Sequence, residues 1–257
     1  MGGPVPPFTP KLAFVTGATS GIGRATARAF AAQSVSLLLL GRRGDRLEAL
    51  RKEFPQVEAT TWTCDVRDPV ALAAGAVRNR ELLERVDVVV NNAGLALGRD
   101  PLHETRPDDW DTMIDTNIKG VLRTTQLVLP HMVKRGHGHV INLGSITGRQ
   151  VYKGGTVYAA TKFAVRGLTE SLRHDLLGTG VRVTSIDPGL VETEFSLVRH
   201  GDPEAARKVY ANMRTLKPED VADAIVFCAT RPPHVDIAEL LIMPTDQASV
   251  TLTHRTG

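Results

Sequence analysis

Tyr158 and Lys162 stand four residues apart in the stretch "GGTVYAATKFAVRG", which runs from Gly154 to Gly167. In a helix, positions i and i+4 share one face, so the phenol and the ammonium project together. A free tyrosine has a pKa of about 10 and is a poor base near neutrality. A neighbouring ammonium favours the phenolate, and a lowered pKa suits general acid–base work. Taken alone, the pair reads first as a solvated surface contact. The residues elsewhere in the chain decide between the two readings.

A second constellation is "TGATSGIG" at 16–23, between an apolar run and a helical pattern. Gly17, Gly21 and Gly23 permit a sharp turn and a close approach to a pyrophosphate, and the helix start beyond offers free N–H groups and a positive dipole end. Thr19, Ser20 and Ile22 fill the same turn. The spacing is G-x-x-x-G-x-G rather than G-x-G-x-x-G, but its place after the first strand points to a dinucleotide. The cofactor is read from the end of the second run, "LLLLGRRGDRL" at 37–47. NAD-binding folds place an acid there. Here Gly41 takes that place and Arg42 and Arg43 follow, which removes a carboxylate and supplies guanidinium forks for a 2′-phosphate. The expected cofactor is therefore NADP. Asp65 and Val66, after the third run, are expected to border the adenine. Asn91, Ala93 and Gly94 of "NNAG" are expected to line the cofactor along the carboxyl edge of the sheet.

The elements that must position these groups are legible as an alternation. Apolar runs at 11–17, 35–41, within 57–66, at 86–94, 138–145, 181–189 and 238–244 are separated by helical patterns. The patterns include a single long helix from about Pro107 to Lys134. Strands buried on both faces read as such near-continuous apolar runs, and strand–helix alternation predicts a parallel sheet with helices on both faces. The expected fold is α/β: one doubly wound domain over 11–257 with a seven-stranded parallel sheet, after a flexible arm at 1–10. With 257 residues, 42% of them hydrophobic, the composition is that of a globular chain. No apolar run approaches the roughly 20 residues that span a bilayer. The net charge of +3 is dispersed, so nucleic acid is not an expected partner. Cys64 and Cys228 are expected as buried thiols, the histidine pair flanking Gly138 as part of a turn rather than a metal site, and the location as cytoplasmic.

"TGATSGIG", "NNAG", Asn117 in "NIKG", Ser145 in "NLGS", "YAATK" and "DPGLVET" stand in order over about residues 11–243. Together they resemble the short-chain dehydrogenase/reductase family, whose fold is a Rossmann domain. "NNAGLALG", "DDWDTMIDTNIKG" and "DPGLVETEFSLVR" are similar to its NADP-dependent 3-hydroxy acid dehydrogenases, which act on serine, L-allo-threonine and 3-hydroxypropionate-type substrates and are typically homotetramers. The resemblance implies that Tyr158 moves a proton while hydride passes between substrate and nicotinamide. It also implies that Lys162 bonds the nicotinamide ribose, that Ser145 holds the substrate oxygen, and that Asn117 anchors a water relaying protons to Lys162. Pro188, Gly189, Val191 and Thr193 fall on the family's "PG-x-x-x-T", with Val191 and Thr193 at the carboxamide.

The segment at about 189–215 is expected to form a lid over the substrate. Arg199 or Lys153 is expected to engage a substrate carboxylate. Arg149, Gln150 and Lys153 are expected to make the wall before Tyr158 unusually polar. Two rival readings share the fold: a 3-oxoacyl carrier-protein reductase or broad carbonyl reductase, and a non-catalytic NADP-binding regulatory protein.

Overall fold

The computed structural model describes residues 6–256. The apolar runs form β1 (Leu12–Thr16), β2 (Ser36–Gly41), β3 (Ala59–Thr63), β4 (Val88–Asn91), β5 (Gly138–Leu143), β6 (Val181–Pro188) and β7 (Glu239–Ile242). They make one sheet in the order β3-β2-β1-β4-β5-β6-β7, every neighbouring pair parallel. Between them run α1 (Gly21–Ala32), α2 (Gly44–Lys52), α3 (Pro69–Arg78), α4 (Arg80–Leu83), α5 (Pro107–Ile114), α6 (Gly120–Arg135), α7 (Thr156–Asp175), α8 (Phe195–His200), α9 (Pro203–Tyr210) and α10 (Pro218–Ala229).

Alternate side chains of a strand point to opposite faces, and β1 shows both layers. Ala13 and Val15 enter the core that holds Phe30 of α1 and Ile225 of α10. Leu12 and Phe14 enter the opposite one, with Val128 and Met132 of α6 and Trp62 of β3. The rings of Phe14 and Trp62 stack at 6.0 Å. Each fully buried apolar side chain of this size contributes about 1.5–3 kcal/mol of transfer free energy. Strand order reverses between β1 and β4, which leaves the crevice at their carboxyl ends where ligands bind in open α/β sheets.

Two helix expectations are corrected. The helical pattern at 69–85 is broken at Asn79, whose side-chain amide donates to the Gly75 carbonyl (2.9 Å) and so competes with the helix's own bonding. The helix expected over 107–134 is interrupted by a π turn, Asp115–Lys119, that joins α5 to α6. Such insertions re-aim side chains and recur at functional sites; this one carries Asn117. Residues 1–5 of the arm lie outside the described residues, but Pro10 is buried and the Phe8 ring packs 6.4 Å from the His137 ring and 5.7 Å from the Arg182 guanidinium. Both cysteines are buried free thiols. His139 lies within β5, fully buried, its Nε2 2.7 Å from Thr184 Oγ1. Burial first and then Arg182 hold its pKa well below the usual range.

Candidate active site

The first turn is built by close packing. Gly17 has φ +65°, and a side-chain carbon there would stand 2.8 Å from Asn92 Nδ2. Gly23, in the first turn of α1, presses on the Gly17 carbonyl and Asn92, where any added carbon would overlap. Thr16 Oγ1 ties this turn to the end of β4: it donates to Val90 O and accepts from the N–H groups of Asn92 (3.1 Å) and Ala93 (3.0 Å). The start of α1 thereby opens into a cavity of about 400 Å³, into which Gly17, Thr19, Ser20, Gly21 and Ile22 all face. Ala93, Gly94, Pro188, Gly189, Val191 and Thr193 continue its wall. Gly23 supports the turn from behind.

At the end of β2 the fit to a 2′-phosphate can be tested directly. A side-chain carbon on Gly41 would stand 2.7 Å from Thr19 Cγ2, so an acid at that position would have to displace Thr19. Arg42 is exposed and lines the cavity. Arg43 donates through Nε (3.2 Å) and Nη2 (3.0 Å) to Thr19 Oγ1, and through Nη1 to Glu194 Oε2 (2.8 Å). Val66 and Asp65 line the cavity near these arginines. The Asp65 carboxylate is forked by Arg67 Nε and Nη2 and also accepts the Arg67 backbone N–H. Burial opposes its ionisation, but the Arg67 hydrogen bonds outweigh that and hold its pKa below the ordinary value.

Asn91 does not line the cavity. It is buried inside the sheet, where its amide donates to Asn142 (2.7 Å) and Thr125 (2.8 Å) and its carbonyl accepts from Thr124 (2.6 Å). Its neighbour Asn92 faces the cavity instead. The two differ because alternate residues of a strand face opposite sides.

The other end of the cavity gathers Ser145, Tyr158 and Lys162. Ser145 follows β5, and its Oγ accepts from Thr147 N (3.1 Å) and Thr147 Oγ1 (2.6 Å). Thr147 is therefore part of the hydroxyl cluster, a role that its place in "SIT" did not disclose. Lys162 Nζ donates to Leu143 O (2.7 Å) and lies 6.0 Å from the Tyr158 ring centre. Asn117 is held by a reciprocal pair: Nδ2 donates to Leu95 O (2.8 Å) and Oδ1 accepts from Leu95 N (2.9 Å). Nδ2 also donates to Thr161 Oγ1 (3.0 Å). A carbon placed on Gly94 would stand 3.3 Å from Asn117 Oδ1 and 3.8 Å from Lys162 Nζ, so the two side chains approach across that glycine.

Burial dominates the electrostatics here. It pushes the Tyr158 hydroxyl up to about 12, against the Ser145 and Thr147 hydroxyls and Arg199, which pull it down. It pulls the Lys162 ammonium down to about 8, against the anion of Asp187. The expectation that Lys162 lowers the pKa of Tyr158 is thus reversed for the polypeptide on its own. Desolvation of the charged form is the largest effect on the phenol, and the Lys162 ammonium donates to the Leu143 carbonyl instead.

Residues of the segment expected to form a lid pack over this end. Phe195 of α8 packs on Tyr158 at 5.5 Å, and the Arg199 guanidinium stands over the rings of Tyr152 (5.2 Å) and Tyr158 (5.6 Å). Arg99 approaches Tyr152 from the loop after β4 (5.7 Å), and it too lines the cavity. Burial, then Arg199 and Arg99, lower the pKa of His200 between them, which favours its neutral form.

Lys153 is exposed and lies outside the cavity, whereas Arg99 lines it beside Arg199. Arg149 also turns away from the substrate wall, to Asp187 (2.8 Å) and Glu239 (2.5 Å), and Gln150 accepts from Val250 N in the C-terminal segment.

Residues 11–201 match the short chain dehydrogenase family. Over 247 residues the chain is 47% identical to the NADP-dependent 3-hydroxy acid dehydrogenase YdfG of Salmonella typhi, covering 95% of this chain and 99% of that one. It is 48% identical over 240 residues to sulfoacetaldehyde reductase 2 of Chromohalobacter salexigens, covering 92% and 95%. Among solved structures, the closed form of serine dehydrogenase complexed with NADP+ superposes with a TM-score of 0.88 at 45% identity, over 96% of this chain and all of that one. With the glycine turn, the Ser145–Tyr158–Lys162 cluster and the seven-stranded sheet in one frame, the chain belongs to the short chain dehydrogenase family of oxidoreductases.

Proposed function

We propose that the protein is an NADP-dependent dehydrogenase of small 3-hydroxy acids, such as serine, L-allo-threonine or 3-hydroxypropionate, and reduces the matching carbonyl compounds. The observation that carries this reading is that the hydroxyls of Ser145 and Tyr158 share one cavity with the arginines that follow β2. The first three neighbours support it by what they bind or turn over. Gly41, Arg42 and Arg43 fit a 2′-phosphate, and the turn at 17–23 fits a pyrophosphate at a helix start.

When bound, the nicotinamide supplies the hydride acceptor or donor. The chain's part is positional and protonic. Ser145, itself steadied by Thr147, donates to the substrate oxygen. Tyr158 gives or takes the proton at that oxygen. Its raised pKa keeps it protonated, as carbonyl reduction requires, and in alcohol oxidation the charge of an oxidised nicotinamide works against the burial penalty. Lys162 holds a charge beside both, with Asn117 at its side across Gly94. Arg199, sandwiched on two tyrosines, receives the substrate carboxylate, and Arg99 adds a second cation. The family resemblance extends the proposal to a cytoplasmic homotetramer, with the exposed Leu122 and Val133 of α6, Phe163 of α7 and Leu241 of β7 as candidate interface residues.

An NADP-linked panel tests the function. Serine, 3-hydroxypropionate and sulfoacetaldehyde should turn over well, and acetoacetyl thioesters and simple ketones poorly. Preference for thioesters would favour the carrier-protein reductase reading. NADP binding without turnover on any compound would favour a regulatory one.

A further inference from the structure

The lid is tied down at both ends of the cavity. At the substrate end, Arg199 Nε donates to Gly98 O (3.0 Å) and Gly98 N donates back to Arg199 O (3.0 Å). At the adenosine end, Glu194, the residue before α8, accepts from Arg43 Nη1 (2.8 Å) and Arg46 Nη1 (2.7 Å). Arg43 is simultaneously bonded to Thr19 in the first turn. It therefore links the phosphate turn to the lid.

A guanidinium carries five N–H groups in a planar fork. Three of those of Arg43 are engaged, two by Thr19 and one by Glu194, which leaves two for another acceptor. Thr19 presents a single oxygen, about which the fork can swivel. Glu194 supplies the second anchor and fixes its plane. Its own negative charge does not spoil the site: Arg42, Arg43 and Arg46 against Glu194 leave two positive charges, which matches a phosphate dianion.

We propose that Glu194 is a positioning residue for cofactor choice: from the lid it holds Arg43 ready for the 2′-phosphate, so that 2′-phosphate binding and lid closure are one linked equilibrium. This rests on the NADP reading above. By reciprocity, whatever the closed lid adds to 2′-phosphate affinity, the 2′-phosphate adds to closure.

The test uses 2′,5′-ADP and 5′-AMP, fragments with no nicotinamide, titrated calorimetrically into wild type and Glu194→Gln. The substitution should weaken 2′,5′-ADP about two- to fivefold, the range of a partly exposed ion pair, and leave 5′-AMP unchanged. Arg46→Gln should act in the same direction and less. In wild type, 2′,5′-ADP should also slow tryptic cleavage at Arg207 and Lys208 of the lid, although it carries nothing that reaches Tyr158; in Glu194→Gln that protection should be lost. Tighter 2′,5′-ADP binding in the variant would mean that Glu194 competes with the phosphate, and overturns the proposal. So would an equal loss for both fragments, or protection that survives the substitution. A wild type that binds the two fragments alike overturns the NADP reading itself; discrimination that is undiminished in Glu194→Gln overturns only the role of Glu194.

Discussion

The two ends of the cavity use similar groups in opposite surroundings. At the nicotinamide end Tyr158 and Lys162 are 9% and 7% exposed, and burial moves both pKa values toward neutral forms. At the end beside β2 the side chains of Arg43, Arg46 and Glu194 are 38–44% exposed and form mutual ion pairs. Desolvation governs the first end; at the second, burial also opposes the charge of Glu194, but the hydrogen bonds from Arg43 and Arg46 outweigh it and hold the carboxyl below its ordinary pKa. One end has the arrangement that the proposed proton transfer at Tyr158 would use. The other is arranged to hold charge against charge without moving one.

The comparison breaks most visibly at Tyr158. Tyr158→Phe removes the hydroxyl without changing the ring's packing on Phe195, so kcat should fall by about 10²–10⁴ while NADP+ affinity, measured by fluorescence titration, stays near wild type. A fall in affinity equal to the fall in kcat would place Tyr158 in binding rather than chemistry. Arg199 comes next. Arg199→Gln should raise KM for serine roughly tenfold or more, the scale of a lost charge-assisted hydrogen bond. KM for an uncharged alcohol should stay within a small factor; equal effects would remove Arg199 from substrate recognition.

The buried end also predicts a pH effect. Asp187 is 2% exposed, accepts from Arg149 Nε (3.0 Å) and Nη2 (2.8 Å) and from Ser185 (2.5 Å), and presses on Gly144 between Leu143 and Ser145. Its anion is what holds the Lys162 pKa up against burial. Glu239 and Arg166 complete the charged surroundings through Arg149. In the free enzyme the ammonium is lost as pH rises through about 8. Removing the anion disfavors the charged form, so Asp187→Asn should move the limb assigned to Lys162 to lower pH, by about one unit or about 1.4 kcal/mol. An NMR titration of Lys162 that matches wild type would overturn this. The sign for stability follows from the same shift. The folded pKa lies below that of the unfolded chain, so the unfolded state binds more protons between about pH 8 and 10.5 and Lys162 makes stability rise across that window.

Much of this was legible in the chain. Strand identity was, because strands buried on both faces leave unbroken apolar runs such as "SLLLLG". The glycine turn was, since Gly17 and Gly23 are required by backbone approach and no other residue type fits. What escaped depends on direction rather than type. Asn91 and Asn92 are identical in sequence and opposite in orientation. Lys153 lies outside the cavity, while Arg99, far away in the chain, lines it. The π turn at Asn117 adds a residue to a helix whose apolar period looks continuous on either side. The pKa of Tyr158 escaped because i, i+4 spacing sets proximity but says nothing of burial, and burial was the larger effect.

Salt separates the two ends most gently. Screening acts on exposed charges beyond a Debye length of about 10 Å at 0.1 M and about 3 Å at 1 M. The Arg43–Glu194 and Arg67–Asp65 pairs, with side chains 25–41% exposed, lie where that screening reaches. Raising ionic strength from about 0.05 to about 0.5 M should therefore reduce the preference for NADP+ over NAD+ severalfold, read as the ratio of their dissociation constants. The buried groups are shielded from the same ions by protein on every side, so the pH limb near 8 should not move. A limb that shifts with salt while cofactor preference stays constant would invert the comparison: the charge sensitive to solvent would then be at Lys162, and the arginines after β2 would be the enclosed ones.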